Sequence, residues 1–178
     1  MSRTADDARR AELLDRALDY VCRHGLADLS LRPLAKAIGS SPRVLLYYFG
    51  SKEELVIEIV RRGRARQRAM LAELKPANLS PRANARALWR EWSKPEWEPL
   101  TRLSFEVYAL ALSDRSRFPG FLESSVNEWI TALRGCSVTQ ATLLIAGFRG
   151  FLLDLLATHD RSRVNRAVER WLGMVCDD

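Results

Sequence analysis

Leu34-Ala35-Lys36-Ala37-Ile38-Gly39-Ser40-Ser41-Pro42-Arg43-Val44-Leu45-Leu46-Tyr47-Tyr48-Phe49-Gly50-Ser51-Lys52-Glu53-Glu54-Leu55 is the stretch on which the fold turns. Its punctuation is regular. Ser30 is placed to cap a short helix over residues 31–38, and Pro33 is tolerated there because the backbone donor at the third helical position has no intrahelical partner anyway. Gly39 supplies the left-handed conformation of a sharp turn. Ser41 caps the next helix, with Pro42 in its favoured first position. Ser51 and Glu54 form a capping box that opens a long helix reaching about residue 74. Two short helices joined across Gly39-Ser40-Ser41 make a helix-turn-helix.

Outward from that stretch, apolar residues recur at helical spacing and no segment alternates long enough for a strand, so the fold is expected to be all-α. Leu14, Ala17, Leu18, Val21 and Cys22 form the stripe of a first helix over residues 4–24, with Thr4 as its cap and Gly25 as its end. Downstream, Ser80-Pro81 opens a fifth helix, and the prolines at 95 and 99 divide it from a sixth over residues 98–113. Pro119 starts a seventh over residues 119–134, closed by Gly135. Ser137 and Gln140 form a second capping box, leading a helix over residues 138–158 that is apolar almost all round and is expected to be buried on two sides. Asp160 precedes a last helix striped by Val164, Ala167, Val168, Trp171 and Leu172. The expected architecture is a three-helix head with the helix-turn-helix, residues 1–52, and a helical-bundle domain, residues 53–178, with about nine helices in all.

At 178 residues and 47% hydrophobic, the chain can bury a core, which excludes a disordered protein. The longest apolar stretch, residues 143–157, is broken by Arg149 and Asp154 and is expected to fall short of a membrane span. Residues 1–10 lack the apolar centre of a signal peptide, so a cytoplasmic location without membrane partners is expected. Cys22, Cys136 and Cys176 are too scattered for a disulfide framework or a zinc site. Only His24 and His159 occur, with no nucleophile motif, phosphate-cradling glycine loop or metal-ligand cluster, so neither enzyme, cofactor nor metal is expected. Charge is uneven: residues 1–75 hold 15 Lys and Arg against 10 Asp and Glu, whereas the remainder holds 13 against 12. The basic half is the part suited to a polyanion.

If Leu34, Ala35, Ile38, Leu45 and Phe49 turn inward on Leu18, Val21 and Leu29, the third helix presents Arg43, Val44, Tyr47 and part of Tyr48 outward. Arginine can grip a guanine edge bidentately in the major groove and valine can meet a thymine methyl, so Arg43 and Val44 are candidates for reading bases. Tyr47 and Tyr48 bring hydroxyls that suit phosphates or base edges, while Ser41, with Pro42 at the helix start, and Lys52 at the start of the fourth helix suit phosphates. The run Arg61-Arg62-Gly63-Arg64-Ala65-Arg66-Gln67-Arg68 lies about 15–25 Å from Lys52 at a helical rise of ~1.5 Å per residue and is expected to be a solvated face.

The quoted stretch resembles the signature of the tetracycline-repressor (TetR) family. The resemblance covers about residues 10–56 and implies a three-helix head that binds a double-stranded DNA operator, a body that senses a small-molecule effector, and a homodimer through the last two helices. It adds Arg32 as a base-reaching position. Two departures stand out: a small residue is usual where Arg43 stands, implying a changed base preference, and a tyrosine where Leu46 stands, removing a phosphate contact. The resemblance also assigns residues 89–130 to effector binding, where Trp89, Trp92, Trp97, Phe105, Tyr108, Phe118, Phe121 and Trp129 concentrate. Trp89, Trp92, Phe105, Tyr108 and Trp129 are the candidate ligand contacts, though a helical bundle also fills its core with such residues, and Arg149, like Arg102 and Glu106, could orient a polar ligand group or else pair with one another or with solvent. Gly147 and Gly150 would let backbones approach at the dimer seam, and the fourth helix is the lever by which ligand releases DNA. Repression and activation are both compatible with such a protein, as is a helix-turn-helix module for DNA or protein interaction with no sensed ligand.

Overall fold

A computed structural model describes residues 3–74, 79–133 and 135–176. Among them are nine α-helices and no strand: α1 (Arg3–His24), α2 (Leu31–Ala37), α3 (Pro42–Phe49), α4 (Lys52–Glu73), α5 (Pro81–Trp92), α6 (Glu98–Ser113), α7 (Phe121–Ala132), α8 (Val138–Thr158) and α9 (Arg161–Cys176), with a 3-10 turn at Pro95–Trp97 before α6. The caps follow local chemistry. Ser41 accepts from Val44 N, Ser80 from Ala83 N, and both capping boxes close, Ser51 with Glu54 at 2.9 and 3.0 Å and Ser137 with Gln140 at 3.1 and 3.2 Å. Each such cap is worth about 1 kcal/mol.

Three local expectations are corrected. Thr4 lies inside α1, which is already helical at Arg3, so it is not the cap. Ser30 holds the cap position of α2 with extended backbone but makes no side-chain cap bond. Pro119 does not begin α7; Gly120, at φ 72°, takes the cap position, and the helix runs from Phe121.

The chain divides into two compact units, residues 1–67 with 102–118, and residues 68–101 with 119–178. The first holds the expected head, α4 as far as Gln67, and α6 from Arg102. Leu13, Leu18, Val21, Leu29, Leu34, Ala35, Ile38, Leu45 and Phe49 are all buried there, the inward set expected of the helix-turn-helix. At the turn, Gly39 has φ 68°, a conformation that costs a side chain about 1 kcal/mol or more. In the second unit α8 packs on α7 and α9, and α5 on α9.

The arginine run of α4 leaves Arg61, Arg62 and Arg68 exposed, as expected of a solvated face, and is also ion-paired. Arg62 holds Asp15 bidentately at 2.8 and 2.7 Å, while Arg66 reaches Asp15 at 3.2 Å and Asp19 at 2.7 Å. The Arg62 hydrogen bond, with Arg66 adding to it, holds the Asp15 carboxyl below its ordinary range. A depressed folded-state pKa stabilises the fold above the ordinary carboxylate pKa, and the contribution disappears as pH falls through the lowered value. Asp15→Asn should therefore flatten the acid limb of the pH–stability profile, measured by denaturant unfolding between about pH 5 and pH 2, with a modest change at neutral pH because solvent screens the pair.

In the second unit, α8 is long and apolar enough to cross a bilayer by length and composition, so Arg149 and Asp154 do not disqualify it on that ground as expected. Within the fold it buries Ala141, Leu144, Ile145, Phe148, Leu152 and Leu155 on one side. Burial on two sides is not observed in the single chain: Leu143 (44%) and Leu153 (51%) remain exposed. Gly147 also differs from expectation. A Cβ there would clash with Trp171 Nε1 of α9, so this glycine makes room for an indole of its own chain. Around Gly150 nothing lies within 4 Å.

Candidate functional site

The outer face of the helix-turn-helix is carried by α3. Burial of Leu45 and Phe49 fixes its rotation, which leaves Arg43, Val44 (36% exposed), Leu46 and Tyr47 (74% exposed) facing out. Arg43, Val44 and Tyr47 are thus open to solvent side by side, and all three are residue types that contact base edges or phosphates. Ser41 and Pro42 open this helix; the Ser41 oxygen is occupied by Val44 N at 3.3 Å. Lys52, at the N-terminus of α4, is exposed.

Tyr48 is placed differently from its neighbour. Its hydroxyl donates to Asp6 Oδ1 of α1 at 2.7 Å, its carbonyl accepts from Arg10 Nε at 3.4 Å, and its ring meets Tyr47 edge-on at 5.0 Å. The Asp6 hydrogen bond raises the phenol's pKa. Tyr48 thus braces α3 against α1, and its hydroxyl would have to leave Asp6 to reach a phosphate.

Charge pairing separates this face from the rest of the unit. Arg9 and Arg16 pair with Glu12, Arg10 with Glu58, Arg61 with Glu58, and Arg62 and Arg66 with Asp15 and Asp19. Arg23 and Arg102 donate to backbone carbonyls, Arg117 lies over Phe118, and Arg64 and Arg115 are engaged as well. Among the described side chains of the first unit, only Arg32, Lys36, Arg43 and Lys52 are cations without a partner. They sit on α2, on α3 and at the start of α4. Lys36 was not among the sequence candidates; its spacing of four from Arg32, which puts both on one face of α2, is the signal that would have found it.

The second unit holds four of the six candidate ligand residues. Trp92 stacks on Trp129 with centroids 3.9 Å apart and planes 11° apart. Trp89 packs against Phe148 and Phe151 and donates to Asn165 Oδ1 at 3.0 Å. Arg149 donates to the Ser125 carbonyl at 2.8 Å. Two buried polar atoms close to this group have no hydrogen-bond partner, Trp92 Nε1 and Ser125 Oγ, the latter one helical turn from Trp129. Sequence reasoning did not single out Ser125, because a buried serine on a helix carries no periodic signal. Beside Trp92 a small recess is lined by Ser93, Thr101, Leu152, Leu155 and Arg161. Phe105 and Tyr108, the other two candidates, are half-buried in the first unit. Arg102 and Glu106 also lie there and do not pair with each other: Arg102 donates to Cys22 O, and Glu106 accepts from Leu26 N and Ala27 N. Burial pushes the Cys22 thiol up to about 11, which keeps it protonated and unreactive. Among the described residues, no group of His, Cys, Asp and Glu could hold a metal ion.

Residues 13–59 match the family described as "Bacterial regulatory proteins, tetR family". The HTH-type transcriptional regulator BetI of Rhizobium meliloti (strain 1021) is 34% identical over 87 residues, 48% of this chain and 42% of the relative, so the chain matches less than half the length of that protein. A TetR-family transcriptional regulator from Rhodococcus sp. shares the fold at a TM-score of 0.72, with 21% identity over 94% of this chain and 97% of that one. The multidrug binding protein EbrR, solved with imidazole, shares it at a TM-score of 0.68, with 24% identity over 96% of this chain and 93% of that one. The head over residues 13–59 thus matches the tetR family of bacterial regulatory proteins, and the described helices share the fold of these solved structures.

Proposed function

We propose that this chain is a ligand-responsive transcription regulator that binds a palindromic DNA operator as a homodimer and acts as a repressor released by a small-molecule effector. The observation that carries the reading is the placement of unpartnered cations. Arg32, Lys36, Arg43 and Lys52 lie together on α2, α3 and the start of α4, whereas the other described arginines of that unit are engaged within the protein. Arg43 and Val44 read bases, Arg32 reaches a further base, and Ser41, Tyr47 and Lys52, joined by Lys36, set register on the phosphates; Pro42 fixes the start of α3 at the DNA, and Tyr48 joins them once its hydroxyl leaves Asp6. In this reading residues 1–52 are the DNA-binding domain and residues 53–178 serve ligand binding and dimerisation, in the cytoplasm.

Salt dependence tests the electrostatic part. With two phosphate-facing cations per head, Lys36 and Lys52, and two heads, the plot of log affinity against log salt should have a slope of about −3 to −4. Lys36→Ala should lower it by about 1.5 to 2, with affinity falling on all sequences alike, measured by fluorescence anisotropy at several salt concentrations. A mutant slope equal to that of the wild type would remove Lys36 from the interface.

Dimerisation through α8 and α9 is supported by the exposed row Leu143, Ala146, Gly150, Leu153 and Ala157 on α8, with Ala167 and Met174 exposed on α9. Small residues spaced three and four apart let a second helix approach closely, and two symmetric heads one DNA turn apart would read two half-sites. Effector binding is supported by the Trp92–Trp129 stack with the unpartnered Trp92 Nε1 and Ser125 Oγ, both able to donate to an oxygen of a ligand; buried donors left unmade cost about 1–3 kcal/mol each. The shared fold with EbrR, a multidrug binding protein, points the same way. Ligand then shifts the population toward a body whose heads no longer fit adjacent grooves, with α4 as the lever.

A further inference from the structure

Glu106 is a residue of α6 whose carboxylate does something its position on that helix does not require. A single oxygen, Oε1, accepts from two consecutive backbone amides, Leu26 N at 2.8 Å and Ala27 N at 2.9 Å, in the loop between α1 and α2. Four residues earlier on the same face of α6, Arg102 Nη2 donates to the carbonyl of Cys22 in the last turn of α1, at 3.3 Å. From α4, Gln67 Nε2 donates to Ser104 Oγ at 2.8 Å. The loop is shaped to admit the carboxylate: Gly25 has φ 81°, and a Cβ there would lie 3.3 Å from Glu106 Oε2.

Helix stability does not account for this arrangement. A carboxylate beside the C-terminus of α1 stands at the wrong end of the helix dipole, where a cation is favoured. What the contact secures is the loop itself, which has a single backbone hydrogen bond of its own, Leu29 N to Leu26 O at 3.2 Å. Leu26 and Leu29 are buried on either side of it, and α2 begins two residues after Leu29. The loop therefore sets where α2 starts and, through the α2–α3 packing, the pose of the outward face of α3.

We propose that Glu106 is a positioning residue for DNA binding: its carboxylate latches the α1–α2 loop and so fixes the pose of the helix-turn-helix, without touching DNA. The inference rests on the DNA-binding reading above. It makes a prediction opposite in sign to simple electrostatics. Glu106→Ala removes a negative charge from a basic, DNA-binding unit, which by charge alone strengthens binding. Loss of the latch weakens it instead. Glu106→Gln removes the same charge but keeps one carbonyl oxygen able to accept from both amides.

The test compares wild type, Glu106→Ala and Glu106→Gln as full-length protein, on the duplex that the wild type enriches from a random pool. Amide hydrogen exchange at Leu26 and Ala27 is read in parallel. The expected result is binding weakened about tenfold or more in Glu106→Ala, with exchange at the two amides faster by a similar factor, and both close to wild type in Glu106→Gln. Glu106→Ala that binds as tightly as wild type or more so overturns the latch, as does unchanged exchange at the two amides. Equal weakening in both variants also overturns it, since the carboxylate's charge and not its acceptor would then matter. A wild type that enriches no duplex overturns the DNA-binding reading itself, whereas the other failures leave that reading standing. Should Glu106→Ala lose its helical circular dichroism, Glu106→Asp, too short to reach both amides, replaces it with the same expectations.

Discussion

Arg43→Ala is expected to weaken operator binding at least about 30-fold and to relax the preference at one base pair in each half-site. The estimate follows from counting: a bidentate arginine–guanine contact discriminates by about 1–3 kcal/mol, and a symmetric dimer makes it twice, giving about 2–6 kcal/mol, with every 1.4 kcal/mol a factor of ten. Non-specific binding should fall much less, because one phosphate-range cation per head among four is lost. The substitution leaves the fold alone, since Arg43 is exposed and makes no hydrogen bond or ion pair. Binding to the selected duplex and to a scrambled one, measured at one salt concentration, separates the two effects. An equal loss on both would make Arg43 a phosphate contact and move base reading to Val44 and Arg32.

Leu153→Glu is expected to abolish dimerisation while leaving the monomer folded. Leu153 is half exposed on α8, in line with Gly150, where space is open. In a two-fold seam the substitution brings two carboxylates toward each other in an apolar setting, and desolvating them costs several kcal/mol per ion. Sedimentation should show a monomer at concentrations where the wild type is dimeric, and affinity for the full palindrome should drop to that of a half-site. In the opposite case, a variant still dimeric with unchanged DNA binding, the seam lies on other helices.

What the sequence made legible is local. The capping boxes at Ser51 and Ser137, the serine–proline starts of α3 and α5 and the glycine of the turn each depend on residues within four positions, and each is found where expected. Partners far apart in the chain were not legible. Arg62 and Arg66 read as solvated because Asp15 and Asp19, with the same spacing of four on α1, lie 47 residues away; the matching spacing was the available clue. Gly147 read as dimer seam because nothing local says that Trp171 occupies its open side. Proline at 119 read as a helix start because it favours a first turn, but the glycine after it, in left-handed conformation, delays the helix to Phe121. On the outer face of α3, Arg43, Val44 and Tyr47 fall where the inward set places them, while Tyr48 turns its hydroxyl to Asp6. The ligand candidates were the least legible. Aromatics fill cores as readily as pockets, and Trp89 and Phe105 carry no mark that tells one from the other.

The most direct test of the central claim is selection of random duplex DNA on the purified full-length protein, followed by binding to the recovered sequence. The account predicts a palindrome whose half-sites lie about one helical turn, roughly 34–36 Å, apart. A folded, dimeric protein that enriches no sequence would contradict it and favour a module that meets DNA or protein partners without reading bases.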